Sequence, residues 1–190
     1  MIITPARPDD LQTLVDLRAE ARAWLAQRGT DQWAELWPTP GAMLGKFRAS
    51  IEAGQVWLVY DDGDPMGSLT LDSYCLPELW TPDECAEPAR YVSKVSVRRA
   101  YAGRGIGSQL LDWAGTQAAR AGARWLRLDA WTTNTNLHRY YRDHGFHHVR
   151  TVVSDRPSGA LFQRPAREVP TPDLTTVPSA NGDQEPAEHR

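Results

Sequence analysis

The stretch Val95-Ser96-Val97-Arg98-Arg99-Ala100-Tyr101-Ala102-Gly103-Arg104-Gly105-Ile106-Gly107-Ser108 limits the folds open to this chain more than any other. A strand-forming run enters a turn in which glycine recurs at every second position, and a helix-forming sequence leaves it. Glycine lets the backbone approach a ligand closely and take positive φ. The first turn of a helix has four N–H groups without intrahelical partners, and the dipole adds about half a positive charge there. A phosphate or diphosphate suits such a loop, with a plain chain reversal as the alternative.

The elements around the loop alternate. Ile2-Ile3-Thr4 reads as a first strand. Pro8-Asp9-Asp10 then opens a helix, with Pro in its first turn and acids near the positive dipole end. Leu11, Leu14, Val15, Ala19, Ala23 and Leu25 carry it to about Arg28, and Gly29 ends it. A second helix is predicted from about Gly41 to Ala53. Val56–Tyr60 and Met66–Leu71 flank an Asp/Gly turn and read as an antiparallel hairpin. Leu76 to Pro88 reads as an irregular excursion. Tyr91–Val97 alternates in period two, which places Tyr91, Ser93, Val95 and Val97 on one face. A helix from about Gly105 to Ala121, a strand Trp125–Trp131, a short helix Asn134–His144 and strands near Val149–Val153 and Ala160–Gln163 follow.

Three phosphate-binding loops compete for the glycines. A P-loop needs lysine before its Ser or Thr, and Gly107-Ser108 has none. A dinucleotide loop finds a ribose-binding acid in Asp129, but lacks its third glycine and sits after a hairpin rather than in a leading βαβ unit. The third is the coenzyme A loop. Val95–Val97 followed by Ala102-Gly103-Arg104-Gly105-Ile106-Gly107 resembles the GCN5-related N-acetyltransferase (GNAT) superfamily signature, Arg/Gln-x-x-Gly-x-Gly/Ala after a Val-x-Val strand. The leading Arg/Gln is Ala102 here, and Arg104 stands as the alternative source of side-chain charge. Asn134-Thr135-Asn136-Leu137-His138-Arg139-Tyr140-Tyr141-Arg142-Asp143-His144-Gly145-Phe146 resembles the same family's second motif, in which Asn precedes Tyr and Gly-Phe closes a short helix.

The resemblance covers about Ile2 to Arg164. It implies an α/β (α+β) domain over residues 1–164, with a mixed, mostly antiparallel sheet of six to seven strands flanked by about four helices. It implies acetyl-CoA as co-substrate, no metal, and an N-acetyltransferase in which a primary amine attacks the thioester directly in a ternary complex. The backbone of Val95, Ser96 and Val97 would pair with the pantetheine arm, and one of its N–H groups would face the oxyanion. Gly103, Arg104, Gly105, Ile106, Gly107 and Ser108 would cradle the diphosphate. Asn134 would hydrogen-bond the arm near its thiol end, or cap its helix. Tyr141 would protonate the departing thiolate, or pack in the core beside Leu137. Asp129 corresponds to a glutamate that acts as general base in some ribosomal-protein acetyltransferases of the superfamily. Asp72, Ser93 and Asp31 are lesser candidates for base or acceptor contact. Solvent exposure accounts for His138, His144, His147 and His148.

The acceptor site would draw on Trp33, Trp37, Trp80 and Trp131, since aromatics near acids receive cationic amines, with burial in the core as the equal alternative for each. A small-molecule amine comes first as acceptor and a protein N-terminus or lysine second, the protein being a monomer or homodimer. A non-catalytic acyl-CoA sensor and an NAD(P)-dependent oxidoreductase remain as alternatives. A net charge of −3 gives no general attraction to nucleic acid. No apolar run approaches the roughly 20 residues of a membrane span, and the opening residues lack the design of a secretory signal. A cytoplasmic location is expected, with Cys75 and Cys85 as unlinked thiols there and a disulfide between them as the alternative in an oxidising compartment. Residues 165–190, polar and rich in proline, are expected to be a disordered tail.

Overall fold

The computed structural model describes residues 1–34 and 39–178. Eight strands form one sheet in the order β6-β7-β5-β4-β3-β2-β1-β8. In chain order the strands are β1 (Ile2–Pro5), β2 (Val56–Asp61), β3 (Asp64–Asp72), β4 (Ala89–Val97), β5 (Trp125–Trp131), β6 (His147–Thr151), β7 (Ser158–Pro165) and β8 (Thr175–Thr176). The helices are α1 (Leu11–Gln27), α2 (Pro40–Glu52), α3 (Pro82–Ala86), α4 (Ile106–Arg120) and α5 (Thr135–Asp143). The class is as expected, with one more strand and one more helix than the sequence suggests.

Period-two patterning fixes the two faces. Leu126, Leu128 and Ala130 of β5 join Leu110, Leu111, Ala114 and Ala118 of α4 in the main core. On the opposite face, Leu14 and Leu17 of α1 and Phe47 and Ile51 of α2 pack on Val56 and Leu58. The segment between β3 and β4 covers the rest of that face, where Leu79 and Trp80 meet Leu161. Its two cysteines are joined, Cys75 to Cys85, with Cα atoms 5.6 Å apart. This corrects the expectation of free thiols: a capped turn of helix reverses the chain and returns Cys85 to Cys75. Thr81 accepts from the Glu84 N–H, and Glu84 accepts in return from the Thr81 N–H.

Alternation in β4 breaks at Lys94. This residue takes the left-handed conformation at φ 53°. Ser93 pairs with Thr70 and Ser96 with Ser68, so β4 uses one residue more than β3 between those pairs. The bulge reverses parity: Val95 and Val97 join Val92 in the main core, while Tyr91 stays on the other face. The four-residue face read from the sequence is therefore split.

A second departure places the site. The parallel ladder between β4 and β5 pairs Ala89–Tyr91 with Trp125–Arg127 and stops there. Beyond it β4 pairs only with β3, and β5 only with β7. A wedge opens between two central strands, walled by one edge of Val95–Val97.

The expected disordered tail also needs revision. Val169 donates its N–H to Thr116 Oγ1 at 3.0 Å, Leu174 enters the main core, and β8 pairs with β1. The apolar anchors are too few to give a periodic signal. Residues 179–190 of that expectation lie outside the described residues. Among the described residues no helix is long and apolar enough to cross a membrane.

Candidate active site

A cavity of about 770 Å³ lies at the wedge, within the size range of small-molecule sites. Its floor is Val95, Ser96 and Val97, and one end is Gly103, Gly105, Ile106, Gly107 and Ser108. Gly103 and Gly105 hold φ of 81° and 73°, and Gly105 is the N-cap of α4. L-residues take this conformation at a cost, so these two positions favour glycine. The opening N–H groups of α4 thus face the cavity without a capping side chain. Gly107 answers a different need. A Cβ there would come 2.6 Å from the Tyr140 hydroxyl, so the absence of a side chain lets α5 close against the loop.

The other wall is α5. Asn134 does cap it, its Oδ1 accepting from the Leu137 N–H at 3.0 Å. Its Nδ2 donates to Gln32 Oε1 at 2.6 Å, so the amide is engaged at both ends while lining the cavity. Tyr141 packs its ring against Phe146 and Phe162, with centroids 5.7 and 5.8 Å away. Tyr141 also lines the cavity, and burial, then Tyr140 and Asp129, push its hydroxyl well above the ordinary phenol range. The expected core and cavity roles coexist. Tyr140 lines the cavity too, its hydroxyl pushed up to about 12 by burial and then by Asp112.

Asp129 stands elsewhere. It shares a sheet face with Arg127 and Leu161, away from α4, and does not line the cavity. Its carboxylate faces Arg156 at 3.6 Å. Two other charged groups share this side of the wedge. Burial raises Asp72 above the ordinary carboxyl range, and burial lowers Lys94, partly offset by attraction to Asp72 and Asp129. The structure therefore puts Tyr141 with the glycine loop and puts Asp129 with Asp72 on the far side of β4 and β5.

Arg104 departs from its expected role. Its guanidinium reaches Asp61 at 3.5 Å and lies over the Tyr101 ring at 5.4 Å, and its side chain is not part of the cavity wall. The wall instead includes Arg28 and Arg99 and, among the described residues, no carboxylate. Nothing local in the sequence marks Arg28, Trp24 or Gln32, because α1 and its following loop reach the cavity only through the fold.

Asp31 to Trp33 cross from α1 to the end of β5. Asp31 accepts from Trp131 Nε1 at 3.1 Å and from the Thr133 hydroxyl. Trp33 lines the cavity under the Arg18 guanidinium, 4.2 Å from its ring centre. Trp80 is 2% exposed and belongs to the core, so it is not an acceptor contact. Trp37 lies outside the described residues.

Known proteins share the family and the fold of this chain. The sequence profile of the acetyltransferase (GNAT) family matches residues 18–146. An uncharacterized N-acetyltransferase of Bacillus subtilis (strain 168), YesJ, is 30% identical over 145 residues, covering 75% of this chain and 79% of that one. A GNAT-family acetyltransferase from Listeria monocytogenes 4b F2365 superposes with TM-score 0.70 at 23% identity, over 86% of this chain and 93% of that chain. The PaiA N-acetyltransferase of Thermoplasma acidophilum, solved in complex with coenzyme A, superposes with TM-score 0.64 at 18% identity, over 86% and 97%. With two motifs in place around a split sheet and a family profile spanning most of the domain, the chain belongs to the GNAT family and is an acetyltransferase.

Proposed function

We propose that the protein transfers an acetyl group from acetyl-CoA to a primary amine, with both substrates bound at once. The observation that carries this reading is the cavity at the wedge: a helix N-terminus and glycine loop at one end, Tyr141 and Asn134 on the wall, and no carboxylate in the lining. Such a lining suits a ligand with anionic phosphates and a neutral arm. The coenzyme A bound by the Thermoplasma protein of similar fold supports the same ligand class.

In this reading a neutral amine attacks the thioester carbonyl, forming a C–N bond as the C–S bond breaks. A backbone N–H at the exposed edge of Val95–Val97 faces the developing oxyanion. Tyr141 donates a hydrogen bond toward the departing sulfur. Its raised pKa against about 8.5 for a free thiol makes full transfer uphill, so the phenol acts chiefly as a donor held protonated. Asp129, with Asp72 nearby, receives the ammonium group and takes one proton so that the neutral amine attacks. The second proton, shed by nitrogen as the amide forms, passes to the departing thiolate, which leaves as the thiol. The acceptor in this reading is a small-molecule amine rather than a protein chain.

Differential scanning calorimetry with acetyl-CoA, CoA, NAD and ATP tests the reading, followed by thiol-release assays over an amine panel. Acetyl-CoA and CoA should raise the melting temperature, and Gly105→Val, placing a β-branched residue at φ 73°, should remove the response. Stabilisation by NAD alone overturns the proposal. Stabilisation by acetyl-CoA without acyl transfer to any amine would make the protein a sensor.

A further inference from the structure

Ala102 leaves the glycine loop without the cation that its signature would place there, and Arg104 is turned away to Asp61. The loop keeps its backbone N–H groups, and any side-chain charge for a phosphate has to come from elsewhere on the cavity wall. The α1 side of the cavity supplies it. Trp24 of α1 lines the cavity, with the Arg99 guanidinium 4.0 Å and the Arg28 guanidinium 4.8 Å from its ring centre. Neither guanidinium forms an ion pair among the described residues. Glu20, the acid next to this group on α1, accepts from the Arg99 backbone N–H instead.

Each guanidinium lies over the Trp24 ring, whose attraction holds a cation without neutralising it. An anion in the cavity is attracted to both, since both line its wall. Planar guanidinium groups match phosphate oxygens in a way that a single ammonium does not.

We propose that Arg28 and Arg99, seated on Trp24, bind a phosphate of the donor's nucleotide end, replacing from α1 and the end of β4 the charge absent at Ala102. This rests on the acetyl-CoA reading of the cavity. The phosphate is either the 3′-phosphate or the diphosphate, and the two sources are separable.

Isothermal titration of the full chain with CoA, 3′-dephospho-CoA and S-acetylpantetheine decides the matter, using wild type, Arg28→Ala, Arg99→Ala and the charge-retaining Arg99→Lys. Each alanine variant should weaken CoA about tenfold, as expected for one charged hydrogen-bond partner. S-acetylpantetheine, which has no such phosphate, should bind all four proteins alike. Arg99→Lys should recover part of the CoA affinity. If the 3′-phosphate is held, dephospho-CoA will bind wild type and alanine variants equally. If the diphosphate is held, it will lose affinity as CoA does. Alanine variants that bind CoA within about twofold of wild type overturn the proposal, and so does an equal loss for S-acetylpantetheine, which marks a merely structural role. Wild type that binds none of the three ligands sinks the acetyl-CoA reading itself.

Discussion

Tyr141 shows how one residue serves packing and chemistry together. Its ring fills space between Phe146 and Phe162, and the burial that follows keeps its hydroxyl protonated. The two roles separate in Tyr141→Phe, which keeps the ring and removes the donor. Turnover should fall by about 10², while acetyl-CoA affinity from titration stays close to wild type. Because the pKa is raised above 10.0, Tyr141 adds no ionisation at neutral pH, and the variant's rate–pH profile should keep its shape. Unchanged turnover would remove Tyr141 from the mechanism. Its position was readable because Asn134 and Gly145-Phe146 frame it in one local motif. Tyr140 was not, since its cavity role depends on a contact with Gly107 on another helix. Arg104 misled for the same reason: its neighbours in sequence are the loop, but its partner is Asp61 at the end of β2.

At the scale of elements, the segment between β3 and β4 looked irregular because its anchors are long-range charges rather than periodic apolar residues. Arg127 on β5, fully buried, pairs with Glu87 and donates to the Glu84 carbonyl. Arg150 on β6 grips Glu84 with two nitrogens, each 2.6 Å from a carboxylate oxygen. That bidentate bond is the main reason the Glu84 pKa falls from 4.5 to about 2. A carboxyl depressed in the folded state contributes stability above its unfolded pKa and loses it as pH falls through the folded one. Glu84→Gln should therefore cost on the order of 1–3 kcal/mol near neutrality, with the gap to wild type closing between pH 4.5 and about 2. Urea unfolding midpoints across that window measure it, and a gap that persists at the acid end would refute the assignment. The Cys75–Cys85 link belongs to the same segment. Its pairing was illegible because the short capped helix that brings the two thiols together leaves only a weak local pattern.

Across the whole molecule, the order of elements was legible because each strand and helix before Arg164, apart from α3, carries its own period and stop signal. The split of the sheet was not. It arises where the bulge at Lys94 and the early end of the β4–β5 ladder coincide, and neither leaves a pattern in hydrophobicity. The segment after β7 was also illegible, since its anchors are scattered single contacts: Leu174 in the core, hydrogen bonds at Val169 and Thr176, and the two residues of β8. Trp113, 2% exposed, donates its Nε1–H to Thr176 Oγ1 at 2.8 Å. Thr176→Val keeps the shape and removes the acceptor, leaving a buried donor unpaired at a cost of about 1–3 kcal/mol. The melting temperature should then drop by roughly 2–4 °C per kcal/mol. Ending the chain after Pro165 also withdraws Leu174 from the core and should lower it further. Because β8 lies at the opposite side of β3, β2 and β1 from the wedge, acetyl-CoA affinity should survive Thr176→Val. Scanning calorimetry with and without acetyl-CoA separates the two effects. If the shortened chain melted like the full one, residues 166–178 would be an appendage and not part of the domain.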